Sequence, residues 1–429
     1  MNDSLIVGPF KQILTMDTLP DSGPIDDDAL EIISNGYVLI EDQNIAKVLT
    51  ETEFQSDAIK ASHSSGTKLD EIEEDSVIMP GFIDAHTHIC YAGTRAEDYG
   101  RRLSGETYLE IATQGGGILS TVSKTRAASQ LELEQGLLKR ARKHLLEGVT
   151  TCEVKSGYGL KKDAELKMLR AIHSLNQKRR LTDESHAFPI LPDLVPTCLA
   201  AHVKPEEFKD HEEYLDYVIH EILPCVKSEN LCNRIDIFIE KSAFNPENSL
   251  QFLKQTKALG FSITIHADQF SRGGSEVASK VGAVSADHLE VSGDNEFEML
   301  KAQKVIANVL PGASIGLGSP FAPARKMLNA GLTVSISSDW NPGSAPMGDL
   351  LVLASILGAK KKLTMAETLS ALTNRAAKAL EQNDRGLIKE GHLADMIAFP
   401  CGDFREILYH QGTLKPHRIW KNGQEVKFN

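Results

Sequence analysis

Paired cysteines, basic tracts and long apolar runs are all missing from this 429-residue chain, and each absence closes off a class of function. The six cysteines, Cys90, Cys152, Cys198, Cys225, Cys232 and Cys401, include no C-x-x-C pair. A chain of this length buries a sizeable core without disulfide staples, so reduced, buried thiols are expected. Lysine and arginine number 46 against 59 aspartates and glutamates, a net charge of -13. The basic residues gather only in short, separate groups (Lys139 to Lys143, Lys178 to Arg180, Lys360 to Lys362). A phosphate backbone needs a cationic face, so no nucleic-acid partner is expected. No stretch approaches the roughly 18 apolar residues of a membrane span. The first residues lack the basic start and apolar run of a secretory signal, so a cytoplasmic protein is expected. Neither G-x-G-x-x-G nor G-x-x-x-x-G-K-[ST] occurs where a nucleotide fold would place it.

What the chain does contain is alternation. Tyr37–Ile40 and Ile45–Val48 flank the polar stretch Glu41–Asn44, a hairpin signal, whereas residues 55–68 read as a surface excursion. From Ser76 onward, short apolar runs alternate with helical stretches such as Ser129–Leu146 and Asp163–Ser174. The runs include Val149–Val154, Asp193–Leu199, Arg234–Glu240, Phe261–His266, Val305–Leu310 and Thr333–Asp339. Continuous apolar strands covered by intervening helices are what a parallel sheet requires. About 300 residues of this alternation fit a closed barrel better than an open sheet. The expected fold is α/β: a (β/α)8 TIM-like barrel over residues 79–384, with a small β-sandwich domain from 1–78 and 385–429. One last barrel helix is predicted from the capping box Thr364–Glu367 and the apolar face Met365, Leu369, Leu372, Ala376 and Leu380. Short β-patterns follow at Gly386–Ile388, Gly391–Phe399 and Arg418–Val426.

Chemistry concentrates at the ends of the predicted strands. In Asp84-Ala-His86-Thr-His88, residues i and i+2 of an extended chain point the same way, so two imidazoles can meet one ion. Three further strands end in His266, His288 and Asp339. Barrel enzymes carry their catalytic groups at the C-terminal ends of strands. Three neutral imidazoles and one carboxylate suit Zn²⁺, or Fe²⁺ less selectively, with a position left for water.

A set of longer motifs sharpens this reading. They are Pro80-Gly-Phe-Ile-Asp-Ala-His-Thr-His88, Ala92-Gly-Thr-Arg95, Tyr108-Leu-Glu-Ile111, Gln114-Gly-Gly-Gly-Ile118 and Glu153-Val-Lys-Ser-Gly-Tyr-Gly-Leu160. Further on come His266-Ala-Asp-Gln269, Ser285-Ala-Asp-His-Leu289, Leu310-Pro-Gly312, Pro323-Ala-Arg-Lys326 and Ser338-Asp-Trp-Asn-Pro-Gly-Ser344. With these, nearly the whole chain resembles the amidohydrolase superfamily of metal-dependent barrel hydrolases, and most closely its imidazolonepropionase family, which acts in histidine degradation. The resemblance implies metal ligands at His86, His88, His266 and Asp339, with His288 facing the metal as a catalytic group. It also implies substrate contacts at Arg95, Tyr158, His202, Gln269, Asn341, Gly343 and Ser344, one Zn or Fe ion per subunit, and a homodimer.

The residues agree with several of these roles. The guanidinium of Arg95, in the loop leaving the first barrel strand, matches a carboxylate. Gly157 and Gly159 let the backbone present Tyr158 to a pocket. His202 also suits a satisfied place in the core, and the Gln114–Ile118 glycines suit a flexible loop. Lys155 raises the question of a carbamylated lysine bridging two metals; its Lys-Ser-Gly-Tyr-Gly setting favours a mononuclear site. Some relatives implied by the resemblance carry Glu where this chain has Gln269, and a neutral amide cannot serve as the water's base. The implied activity is hydrolysis of the cyclic amide of 4-imidazolone-5-propanoate to N-formimidoyl-L-glutamate. The rivals are another amidohydrolase reaction, such as nucleobase deamination, and a non-catalytic metal-binding barrel.

Overall fold

The computed structural model describes residues 4–56, 66–107, 110–111, 114–180 and 189–428. Most of the excursion read at 55–68 therefore lies outside the described residues, as do Tyr108 and Leu109 of the Tyr108–Ile111 motif. Eight strands form one all-parallel sheet in strict chain order: Phe82–Asp84, Val149–Lys155, Asp193–Ala201, Arg234–Ile239, Ser262–Ala267, Ser285–His288, Ile306–Val309 and Val334–Ile336. The two ends of this sheet meet just past the first and last strands. A parallel bridge joins Thr87 to Trp340, with Asp339 N donating to His86 O at 3.1 Å and His88 N donating to Trp340 O at 2.9 Å. Closure thus falls on the residues that carry two of the histidines and the aspartate.

The strands are buried on both faces because helices cover the outside. In Val149–Lys155, Cys152 and Val154 join the apolar layer under the helices, while Glu153 and Lys155 meet charged partners in the barrel interior. The helix Gln130–Leu146 starts on Ser129, whose hydroxyl and backbone complete a capping box with Glu132. Its Leu133, Leu137, Ala141 and Leu145, four apart, bury one face. On the same helix, Arg140 donates to the carbonyls of Ile89 at 2.6 Å and Tyr91 at 2.7 Å, bracing the chain where it leaves His88.

The termini build a second, mixed sheet of eight strands. Val77–Pro80 is its keystone, parallel to Ser4–Leu14 on one side and antiparallel to Met396–Phe399 on the other. Hydrogen bonding therefore joins the N- and C-terminal halves of the expected β-domain into one continuous sheet, whose own core includes Phe10 against Trp420. The predicted hairpin pairs Glu41 with Asn44 around Asp42 and Gln43. Gly81 carries the chain from this sheet into the barrel, and a Cβ there would stand 2.3 Å from Thr150 Oγ1, so only glycine fits.

Two expectations are corrected. The last helix is two, Met365–Ala371 and Asn374–Ala379, because the Leu372 carbonyl accepts from Ile83 N at 2.8 Å instead of continuing the helix. The capping box at Thr364 and Glu367 is present. Gly386–Ile388 forms no strand, only a bond from Ile388 N to Thr15 O at 2.9 Å.

Candidate active site

His86 and His88 leave the first strand on the same side, His266 is the penultimate residue of Ser262–Ala267, and all three are buried. Their Nε2 atoms form a near-equilateral triangle, with separations of 3.2, 3.1 and 3.2 Å. Asp339 Oδ1 caps it, 3.6 Å from His86 Nε2 and 3.5 Å from His88 Nε2. Two outer nitrogens face carboxylates: His86 Nδ1 lies 2.5 Å from Asp287 Oδ2 and His266 Nδ1 lies 2.9 Å from Asp236 Oδ2. An ionised carboxylate only accepts, so His86 and His266 carry their protons on Nδ1 and turn their Nε2 lone pairs toward His88 Nε2. Three buried imidazole nitrogens this close together, with a carboxylate oxygen beside them, form a donor set for a cation. Tetrahedral ligation with bonds of about 2.0–2.1 Å sets nitrogens about 3.3 Å apart, so the three histidines fit a Zn²⁺-sized ion, with Asp339 beside it. Among the described residues this is the one such cluster.

The electrostatics agree. Burial pushes His86 and His88 well below the ordinary imidazole range and His266 down to about 3, so all three are neutral at pH 7. Burial also pushes Asp339 up to about 7. For His288, burial opposes the charged form but the facing Glu290, Asp339 and Asp287 outweigh it and raise the pKa. The His288 Nδ1 lies 3.4 Å from Glu290 Oε1. His288 and Asp339 both have left-handed backbones, at φ 84° and 54°, an uncommon state for non-glycine residues that the surrounding sheet must hold in place. Lys155 is fully buried, 2.6 Å from Glu153 Oε2 and 2.8 Å from Asp236 Oδ2, and these carboxylates raise its pKa against the effect of burial. Its ammonium is thus engaged behind the cluster.

A cavity of ≈ 330 Å³ opens over this centre. His88, His266, His288 and Asp339 form its floor, and Arg95, Tyr158, His202, Gln269, Asn341 and Ser344 line it. His86 lies beneath the floor, outside the lining, and so does Gly343. A Cβ on Gly343 would meet Arg95 Nη1 at 2.1 Å, so this glycine makes room for the guanidinium. His202 Nδ1 lies 3.0 Å from Gly157 O, and since a carbonyl only accepts, Nδ1 carries the proton and Nε2 is the ring's acceptor. Burial takes His202 down to about 4. The Asn341 side chain holds its own turn, donating to Asp339 O at 2.7 Å and accepting from Gly343 N and Ser344 N at 2.8 Å each. Gln269 sits on a loop pinned by Glu240, which accepts from Phe270 N at 2.9 Å and Ser271 N at 3.0 Å.

Apart from Ile118, which closes the glycine motif, sequence reasoning did not single out the apolar wall, with Leu119, Phe238, Phe270 and Leu317, nor the carboxylates Asp236 and Asp287. Asp287 stood in view beside His288 in Ser285–Leu289. Gly116, which lines the cavity, came from the glycine run. Gly117 opens the helix Gly117–Ala127, so an ordered element starts inside what read as a flexible loop.

The pattern of the Amidohydrolase family matches residues 77–426. An imidazolonepropionase of Fusobacterium nucleatum is 38% identical over 99% of this chain and 99% of its own. One from Caldanaerobacter subterraneus is 38% identical over 99% and 98%. In fold, the chain superposes on a triazine hydrolase variant with a TM-score of 0.72 and 16% identity, covering 99% of this chain and 95% of that one. With a full-length match at this identity and a barrel whose strand ends converge on three buried imidazole nitrogens, the chain belongs to the amidohydrolase family and, within it, to the imidazolonepropionases.

Proposed function

We propose that the chain hydrolyses the ring C–N bond of 4-imidazolone-5-propanoate to N-formimidoyl-L-glutamate, a step of L-histidine degradation. The reading is carried by one observation: a triangle of neutral imidazoles with an adjacent carboxylate lies at the floor of a cavity that a buried arginine lines. His86, His88, His266 and Asp339 would hold one divalent ion, zinc or iron. Such an ion lowers the pKa of a water bound to it to about 7 and so supplies a nucleophile near neutral pH.

The chain's own groups do the rest. Asp339 takes the proton of the attacking water and returns one to the leaving ring nitrogen. His288, raised by Glu290, donates towards the carbonyl oxygen as negative charge develops there. Arg95 and Tyr158 hold the propanoate, which orients the ring over the floor. His202 Nε2 accepts from a ring N–H, and Gln269 bonds the ring through its amide without taking a proton. Asn341, Gly343 and Ser344 shape the rim. The unit carrying this chemistry is 79–384, with 1–78 and 385–429 as the composite β-domain; the subunits pair as a cytoplasmic homodimer.

The test is loss of ultraviolet absorbance from freshly generated imidazolone propanoate, with metal-replete protein and with Arg95→Ala. Fast loss that collapses in the variant is expected. No loss above the spontaneous rate, with metal bound, would assign the site to a different cyclic amide.

A further inference from the structure

Two buried carboxylates stand outside the cavity wall and outside the metal centre. Asp98 Oδ2 accepts from Arg95 Nε at 2.8 Å and from Gly117 N at 2.9 Å. Gly116, between that amide and the cavity, could carry no Cβ: it would lie 2.9 Å from Asp98 Oδ1. Glu165 is fully buried and accepts from Gly157 N at 3.0 Å, Gly159 N at 2.7 Å and Leu160 N at 2.7 Å. These amides flank Tyr158 on both sides. At Gly159 a Cβ would stand 2.4 Å from Glu165 N, so the loop closes onto this carboxylate only with glycine.

The two arrangements are tied together by one helix. Gly117–Ala127 begins at the amide held by Asp98, and near its end Arg126 Nε donates to Gly159 O at 2.7 Å. A buried carboxylate is tolerated only when its oxygens are bonded. Here the bonding partners are the arginine and the loop that present the cavity's two candidate anion-binding side chains. Moving the Arg95 side chain or the Gly157–Leu160 backbone would leave a buried carboxylate short of donors, so the geometry is held stiffly.

We propose that Asp98 and Glu165 are positioning residues for substrate-carboxylate binding, Asp98 setting Arg95 and Glu165 setting Tyr158, with the helix Gly117–Ala127 bracing the two. The inference rests on the reading that Arg95 and Tyr158 hold the propanoate. It is tested by measuring kcat and KM of the metal-replete enzyme on imidazolone propanoate and on the same ring bearing a propanamide. The readout is the ratio of kcat/KM between the two substrates, which a general loss of folded enzyme leaves unchanged. Arg95→Ala is expected to abolish the preference for the carboxylate. Asp98→Asn and Glu165→Gln should each lower it about tenfold, chiefly through KM, as expected for one weakened charged hydrogen bond. Asp98→Asn combined with Arg95→Ala should be no less selective than Arg95→Ala alone. Where Glu165→Gln does not fold, Glu165→Asp, which keeps the charge but shortens the reach, is read by the same ratio. Unchanged ratios in the Asp98 and Glu165 variants, with Arg95→Ala unselective, overturn this inference alone. A ratio unchanged by Arg95→Ala overturns the reading beneath it.

Discussion

Two clusters of buried polar groups lie at different places in this molecule, and they are built on opposite terms. Where the terminal sheet meets the barrel, Lys421 Nζ sits 2.9 Å from Asp193 Oδ2 and 2.7 Å from Asp395 Oδ2. Arg385 pairs with Asp193 and Asp384 and donates to Thr151 Oγ1 at 2.9 Å, and Asn422 N closes on Asp395 Oδ1 at 2.8 Å. Every one of these cationic groups meets an acceptor of opposite charge. At the strand ends of the active site, the three Nε2 atoms instead face one another. A satisfied buried network fastens two sheets together; an unsatisfied one is reserved for a ligand. Burial alone does not separate structure from function here, but the donor count does.

That contrast can be broken or sharpened by substitution. The largest effect is expected from Asp339→Asn, which keeps the shape but removes the proposed proton carrier: kcat should fall by about 10²–10⁴. A variant within tenfold of the parent, at equal metal content, would remove Asp339 from the proton route. At the seam, Lys421→Met leaves the buried Asp395 without its cation and Asp193 with Arg385 alone. Breaking a buried pair costs about 3–5 kcal/mol, so the unfolding midpoint in denaturant should drop while KM and metal content of the folded fraction hold. A stable variant with altered KM would erase the distinction between the two clusters.

Asp287→Asn tests the layer between these extremes. It takes the charge from behind His86 and should weaken metal binding by about 10–100-fold, read by competition with a chromophoric chelator. Unaltered affinity would mean that the His86 ring is oriented by packing alone. The smallest effect is expected from Gly343→Ala, which must displace the Arg95 guanidinium. KM should rise about tenfold with kcat nearly preserved, the signature of lost uniform binding.

Much of the architecture was legible because it is local. A strand buried on both faces is a short apolar run, and a helix start is Ser129 with Glu132 three residues on. The four strand-end ligand candidates were legible too, as polar residues closing apolar strings. The layer behind them was not, since His86 finds Asp287 across 201 positions of sequence. Glu165, eight residues from Gly157, looks on paper like one more acid in a helix's first turn. The break after Ala371 was hidden for a similar reason: the Leu372 carbonyl is claimed by Ile83 from the other end of the barrel. The apolar cavity wall comes from loops and helix starts whose periodicity says nothing about where they converge.

The most direct measurement is a chelator titration in which bound metal and turnover of imidazolone propanoate are read on the same samples. Turnover should fall in proportion to bound ion, reach zero with the metal-free protein, and return on adding back one zinc or iron per chain. Turnover that persists after the last ion has left would contradict the assignment of the three imidazole nitrogens to a catalytic metal.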